Sequence, residues 1–334
     1  MSDRHPAIVL IVEKPLYASL IAPLVADRWP SHRVFAICTN YLGLYEFSYP
    51  RNLSFAALPY IGEPTWHPRK FEGVRLDRVV ELVNGDVLKT DLVPGQLLPM
   101  AASIWFACDP DSSGANAYQV LLTQCLGACS AELERPALFL SGLTALSIQR
   151  ALDDPTTTHD PKFQALLNAG QAKRFFDYNY NVNSLALFGR ALRKVGIATE
   201  NYGLSKYGLQ VLYALRNAGP VELFRMVNLM SQWPGTGRYE PTSLGSPASQ
   251  APILINLLGA GLTTETGAKI ELSGRGRELL DVLHPDCEDR DLPARLKLWG
   301  RDWPVSRPAI ERYLRTFFGK QLRFRGRNGY GVDR

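Results

Sequence analysis

Long apolar runs are missing from this 334-residue chain; none approaches the roughly 20 residues that a bilayer-spanning helix needs, which argues against a membrane protein. Cysteine is scarce. The five, Cys38, Cys108, Cys125, Cys129 and Cys287, are an odd number spread over a long chain. They do not make a disulfide framework, and a reducing, cytoplasmic setting is the expectation. Only Cys125 and Cys129 stand close, on a predicted helix, and no histidine or cysteine cluster completes a zinc set around them. The apolar run Ala7–Val12 meets Glu13-Lys14 too soon for a secretory signal. Repeats, heptads and a phosphate-binding glycine loop are also absent, excluding solenoids, coiled coils and the commonest nucleotide folds. Neither charge sign dominates: 37 Lys and Arg face 32 Asp and Glu, a formal charge of +5. That excess permits a polyanionic partner without demanding one.

Strand and helix signals alternate through the first 150 residues. Ala7–Val12, Arg33–Thr39, Ser103–Cys108 and Pro136–Leu140 read as buried strands. Helical spacing follows the first at Leu16–Asp27 and the third at Ala115–Cys129. This order predicts an α/β fold with a mainly parallel sheet covered on both faces. A loop-rich stretch, marked by Pro50, Pro59, Pro64, Pro68 and Pro94, separates the second and third strands. Beyond Thr144 the pattern turns helical, with helices expected over Pro161–Asn183, Ser184–Val195 and Leu204–Asn217. A helix at Pro247–Leu258, a hairpin around Gly261–Leu272 and a helix at Gly274–Leu283 give the order of a winged helix. The chain is thus expected to divide into an α/β domain over 1–150, a mainly helical region over 151–306 and a basic, aromatic tail over 307–334. In the tail Arg307, Arg312, Arg315, Lys320, Arg323, Arg325, Arg327 and Arg334 interleave with Tyr313, Phe317, Phe318, Phe324 and Tyr330. Cations neutralise phosphates and aromatic faces stack on unpaired bases. The same pattern also describes a solvated helix that packs its rings on a core.

The chemistry concentrates at two strand ends. The first strand runs into Glu13-Lys14-Pro15, the third into Asp109-Pro110-Asp111-Ser112-Ser113-Gly114. Neighbouring parallel strands deliver their carboxyl ends to one edge, where such sheets place their sites. Glu13, Asp109 and Asp111 would then converge, and their mutual repulsion would favour an oxygen-seeking divalent cation, Mg²⁺ or Mn²⁺. Asp-Pro-Asp-Ser also has a purely structural use, shaping a turn and capping the helix behind it.

These residues resemble the Toprim domain of type IA DNA topoisomerases, with the topoisomerase III branch the nearest in pattern. Val12-Glu13-Lys14-Pro15 and Asp109-Pro110-Asp111 with Gly114 carry the likeness. Leu42–Glu46, Leu58–Gly62, Ser141–Thr144, Asp177–Ala191, Leu204–Gly208, Pro241–Leu258 and Ile270–Arg277 extend it in pieces. The resemblance implies Glu13 in acid–base chemistry at a scissile phosphate, Lys14 stabilising phosphoryl charge, and Asp109 and Asp111 holding Mg²⁺ together with Glu13. It also implies single-stranded DNA as partner, with Arg190, Lys206, Ser243, Gln250 and Arg277 as backbone contacts.

Two departures matter. Where the family carries Arg-Glu-Gly-Glu after the aspartate pair, this chain has Ser112-Ser113-Gly114-Ala115. The long insertion that forms the arch and bears the nucleophilic tyrosine has no room between Tyr207 and Tyr239. Tyr239-Glu240-Pro241-Thr242 mimics the nucleophile's surroundings but lacks the arginine, and loop packing explains Tyr239 better. Strand passage by the family mechanism is therefore not expected. Three possibilities stay open: a shortened topoisomerase-like protein that needs a protein partner for cleavage, a Toprim nuclease, and a catalytically silent DNA-binding subunit.

Overall fold

The computed structural model describes residues 6–39, 43–51, 53–70, 79–140, 142–199 and 202–324. It divides into two compact units, one of residues Met1–Ser48 and Thr65–Gln171, the other of Tyr49–Pro64 and Ala172–Arg334. The first unit therefore runs past the boundary expected near residue 150 and gives up the segment Tyr49–Pro64.

The first unit is an α/β layer structure. Its strands and helices follow in the order β1 (Ala7–Val12), α1 (Pro15–Val25), β2 (Arg33–Cys38), β3 (Tyr45–Phe47), β4 (Trp66–Pro68), β5 (Val79–Val83), β6 (Asp86–Lys89), α2 (Pro94–Leu97), β7 (Ala101–Ala107), α3 (Ser112–Leu126), α4 (Ala128–Ala131), β8 (Pro136–Ala137), α5 (Ala145–Asp153) and β9 (Thr156–Thr157). A seven-stranded sheet has the order β6-β5-β2-β1-β7-β8-β9. Its centre is parallel, β1 pairing with β2 on one side and β7 on the other, with β8 beyond β7. The outer strands β5, β6 and β9 run antiparallel to their neighbours, so the sheet is mixed. All six residues of β1 are buried, as a central strand with helices on both faces requires. Val9, Ile11, Phe35, Ile37 and Phe106 pack on one face with Tyr118, Leu122 and Phe163; Leu10, Val12 and Ala36 pack on the other with Ile21, Val25 and Ile148. The strand expected over Pro136–Leu140 shortens to Pro136–Ala137. The helix expected to carry both Cys125 and Cys129 ends at Leu126, because Gly127 takes φ +84° and starts the short α4.

α6 (Pro161–Lys194) is one helix of 34 residues where two were expected, broken at Asn183-Ser184. Those polar side chains do not cap a helix end. Asn183 accepts from the Tyr60 amide (2.8 Å) and donates to the Tyr60 carbonyl (2.7 Å). Asn179, one turn earlier, does the same with Gly62 at 2.7 and 3.0 Å. Ser184 donates to the Leu204 carbonyl at 3.0 Å. Two fully buried amides on one helix face thus pair with alternate residues of an extended segment, satisfying backbone groups that burial would otherwise leave unmet. This places Tyr49–Pro64 in the second unit.

The second unit continues with α7 (Lys206–Ala218), β10 (Val221–Glu222), α8 (Leu223–Ser231), α9 (Pro247–Gly259), β11 (Thr263–Thr266), β12 (Lys269–Leu272), α10 (Gly274–Val282), α11 (Leu292–Arg301) and α12 (Arg307–Arg323). The expected helix, hairpin, helix order is present as α9, β11–β12 and α10, and β10 adds a third strand beside β12. The segment expected to be a tail is, up to Arg323, a helix of the core. Ile310, Leu314, Phe317 and Phe318 are buried, and Phe318 meets Tyr180 with ring centroids 5.3 Å apart. Arg307 stacks on Phe175 and is paired with Glu63 and Glu311, and Lys320 with Asp286. Arg325, Arg327, Tyr330 and Arg334 lie outside the described residues, as do Leu42 and Ser141. Among the described residues, no helix is long and apolar enough to cross a membrane.

Candidate functional site

β1 and β7 are hydrogen-bonded neighbours that run in parallel, with Val12 beside Ala107. Their carboxyl ends therefore bring Glu13-Lys14 and Asp109-Pro110-Asp111 to one edge of the sheet. Each strand turns there directly into a helix. Lys14 is the extended residue before α1, and Pro15 occupies the first helical position, where its missing N–H costs nothing. Asp111 caps α3: its Oδ1 accepts from the amides of Ser113 and Gly114, both at 2.8 Å. Gly114 is required by this turn, since a Cβ at that position would lie 2.3 Å from the Asp109 carbonyl oxygen. Both helices begin at this edge, so the positive ends of two macrodipoles point towards it.

Glu13 is 6% exposed. Its carboxylate accepts a hydrogen bond from the Asp109 amide at 3.3 Å. Burial, followed by the nearby Asp109 and Asp111 carboxylates, pushes its pKa up to about 7, against a smaller opposing pull from Lys14. A carboxyl group poised near neutrality can give or take a proton at physiological pH. The Lys14 ammonium contacts Asp109 Oδ2 at 2.7 Å, and this bond raises the lysine's pKa. Tyr17 was not singled out in the sequence. It lies three residues past Lys14 on the first turn of α1, is 4% exposed, and donates its phenol proton to Asp109 Oδ1. Burial, then this hydrogen bond, pushes the phenol up to about 12. Helical spacing from Lys14 was the one available signal for it. Cys38 and Cys108 are buried at the same strand ends, donating to the carbonyls of Glu13 (3.3 Å) and Ile11 (3.4 Å); burial pushes the Cys108 thiol well above its usual value.

Glu13, Asp109 and Asp111 offer only oxygen, the donor chemistry of Mg²⁺ or Mn²⁺. Even so, among the described residues no group of three His, Cys, Asp or Glu side chains is arranged to hold a metal ion. Asp109 spends its two oxygens on Lys14 and Tyr17, and Asp111 directs one of its own to the α3 amides. The donor types fit a divalent cation, but the set is not assembled while these bonds stand.

The five side chains expected to contact DNA fall in the second unit and divide sharply. Lys206 is paired with Asp177, the two side chains 11% and 13% exposed, and lies 4.5 Å from the centre of the Tyr207 ring. Gln250 is 3% exposed and links the Ser231 hydroxyl (2.9 Å) to that of Ser243 (3.1 Å), tying α8 to α9. Ser243 in turn donates to the Gly245 carbonyl. These three serve the interior. Arg190 is half-buried over the Phe55 ring at 4.3 Å, whereas Arg277 is exposed on α10. Tyr239 sits in the loop closed by the Trp233–Thr242 bridge.

No protein-family model matches the chain, and no curated protein matches it in sequence.

Proposed function

We propose that the chain binds single-stranded DNA and handles its phosphodiesters at the carboxyl edge of the parallel sheet, as a shortened, type IA topoisomerase-like Toprim protein without strand-passage machinery. The observation that carries this reading is the meeting of Glu13, Lys14, Asp109 and Asp111 at the ends of two adjacent parallel strands. In that reading Glu13 exchanges a proton with a phosphodiester or a water molecule, and its pKa of about 7 suits the task. Lys14 neutralises phosphoryl charge, and the amino ends of α1 and α3 favour an anion beside it. Glu13, Asp109 and Asp111 would hold Mg²⁺, with Mn²⁺ as a substitute. A bound cation would supply Lewis-acid stabilisation of the phosphoryl oxygens. The α9, β11–β12, α10 assembly supports a winged-helix-like DNA contact, in which Arg277 is an exposed cation.

A second reading, a silent DNA-binding subunit, is favoured by one observation: Asp109 is already satisfied by Lys14 and Tyr17. Incubation of single-stranded and supercoiled DNA with the protein and Mg²⁺ separates the two. Nicked or shortened DNA that disappears with Glu13→Gln and with Asp111→Ala supports phosphodiester chemistry. Retarded but intact DNA supports the silent subunit, and relaxed closed circles would overturn the absence of strand passage.

A further inference from the structure

We propose that Tyr17 and Lys14 form a latch on Asp109, so that the crevice takes up a divalent cation only when the latch opens. The inference rests on the reading of this crevice as a divalent-cation centre.

Each oxygen of Asp109 has its own partner. Oδ2 receives the Lys14 ammonium at 2.7 Å and Oδ1 the Tyr17 phenol. Lys14 Nζ also lies 3.4 Å from the Tyr17 hydroxyl, closing a triangle of three polar groups. Its two donors differ in burial. Tyr17 is 4% exposed and belongs to the helix turn whose Ala18, Ile21 and Ala22 sit in the core, so the phenol cannot swing into water. Lys14 lies before that helix with its side chain 23% exposed, on a long flexible stem. The lysine is therefore the moving part and the tyrosine the fixed part. A carboxylate that already holds an ammonium and a phenol is a weaker ligand, because the ammonium repels a metal ion and each bond takes up lone-pair density that the metal would use. Lys14 thus acts as the resident cation of an acidic crevice.

The latch has a further consequence. Lys14 released from Asp109 becomes available to a phosphodiester oxygen at the same edge. Divalent cation and DNA should then bind with positive coupling, each favouring the open latch that the other needs. Tyr17 is a positioning residue in this scheme: it aims Asp109 and touches no substrate.

Mn²⁺ alone is the probe, with free ion followed by electron paramagnetic resonance on the intact protein, and circular dichroism confirming that each variant is folded. Tyr17→Phe, which keeps the ring and removes one hydrogen bond to a carboxylate, is expected to tighten Mn²⁺ binding by about tenfold. Lys14→Met should tighten it at least as much, since a competing charge is removed. Asp109→Asn should weaken it. Mg²⁺ added to the wild-type protein should give a tyrosine near-ultraviolet difference spectrum that Tyr17→Phe lacks. A merely structural tyrosine would not improve metal binding on removal. If wild-type protein binds Mn²⁺ and neither Tyr17→Phe nor Lys14→Met tightens it, the latch is wrong and the metal centre stands. If wild type and both variants leave Mn²⁺ free, the latch and the metal centre fall together.

Discussion

Lys14 and Lys206 each meet an aspartate, one in each unit, in very different surroundings. Lys14 and Asp109 are 2.7 Å apart, with side chains 23% and 28% exposed, and two more carboxylates crowd the same strand ends. Glu13, held up first by burial and then by this surplus of negative charge, has a pKa of about 7. Lys206 and Asp177 are sealed in, the lysine 4.5 Å from the Tyr207 ring centre and 6.0 Å from that of Phe176. Burial pulls the Lys206 pKa down, yet the Asp177 charge and hydrogen bond outweigh it, and the pKa ends above its usual value. One charge is answered and the other group is in surplus. An unanswered charge at a sheet edge is available for a ligand, whereas a balanced pair inside a core is available only to the fold.

The largest effect expected from this contrast is on stability. Lys206→Met leaves Asp177 nearly buried without its partner and should cost about 3–5 kcal/mol in urea unfolding. Lys14→Met, in a partly hydrated pair, should cost under about 1 kcal/mol. Equal costs would erase the distinction between the two pairs. Glu13 gives the next effect. Its folded pKa of about 7 lies above the ordinary carboxyl value of 4.5, so the folded state keeps a proton that the unfolded chain has released. Stability is then fully present below about pH 4.5, falls as pH rises towards 7, and stays low above it. Glu13→Gln removes that burden. It should stabilise the protein at pH 8 by up to about 3 kcal/mol, less where water reaches the carboxyl, and the gain should shrink to under about 1 kcal/mol at pH 5. A gain independent of pH would show that ionisation of a buried, crowded Glu13 is not what the mutation relieves.

The parallel core was legible because its strands are short apolar runs that end in charge. Ala7–Val12 and the run before Asp109 are unbroken, and their adjacency follows from the alternation with helices. That was enough to bring Glu13 and the aspartate pair together. The outer strands β5 and β6, and the separate pair β3–β4, were hidden in a stretch rich in proline and glycine, where each strand is three to five residues long and lacks a full period. The unbroken α6 was missed for a different reason. Asn179, Asn183 and Ser184 look like helix-stopping residues, and only the extended segment at Tyr60–Gly62 and the Leu204 carbonyl give them buried partners. The two asparagine pairings join positions more than a hundred residues apart, the serine pairing positions 20 apart, and neither leaves a periodic trace. The same limit explains the DNA-contact candidates: the spelling of Lys206 and Gln250 does not say that Asp177 and Ser231 are waiting for them. Tyr17 escaped because a tyrosine on an amphipathic helix reads as core, which its ring in fact is.

Arg277 supplies the smallest and most discriminating test of the contrast. Its guanidinium stands exposed on α10, so Arg277→Ala should change folding stability by no more than about 0.5 kcal/mol. If this face meets a DNA backbone, the loss appears instead in the salt dependence. Removing one phosphate contact should flatten the slope of log affinity against log salt by about 0.7 for a single strand. Lys206, sealed against Asp177, is expected to release no phosphate. Under conditions where Lys206→Met remains folded, its slope should match the wild type even though its stability does not. The pair of variants then behaves as mirror images, one altering stability at constant slope and the other slope at constant stability. An unchanged slope in Arg277→Ala would remove this side chain from the interface, whatever its neighbours on α10 contribute.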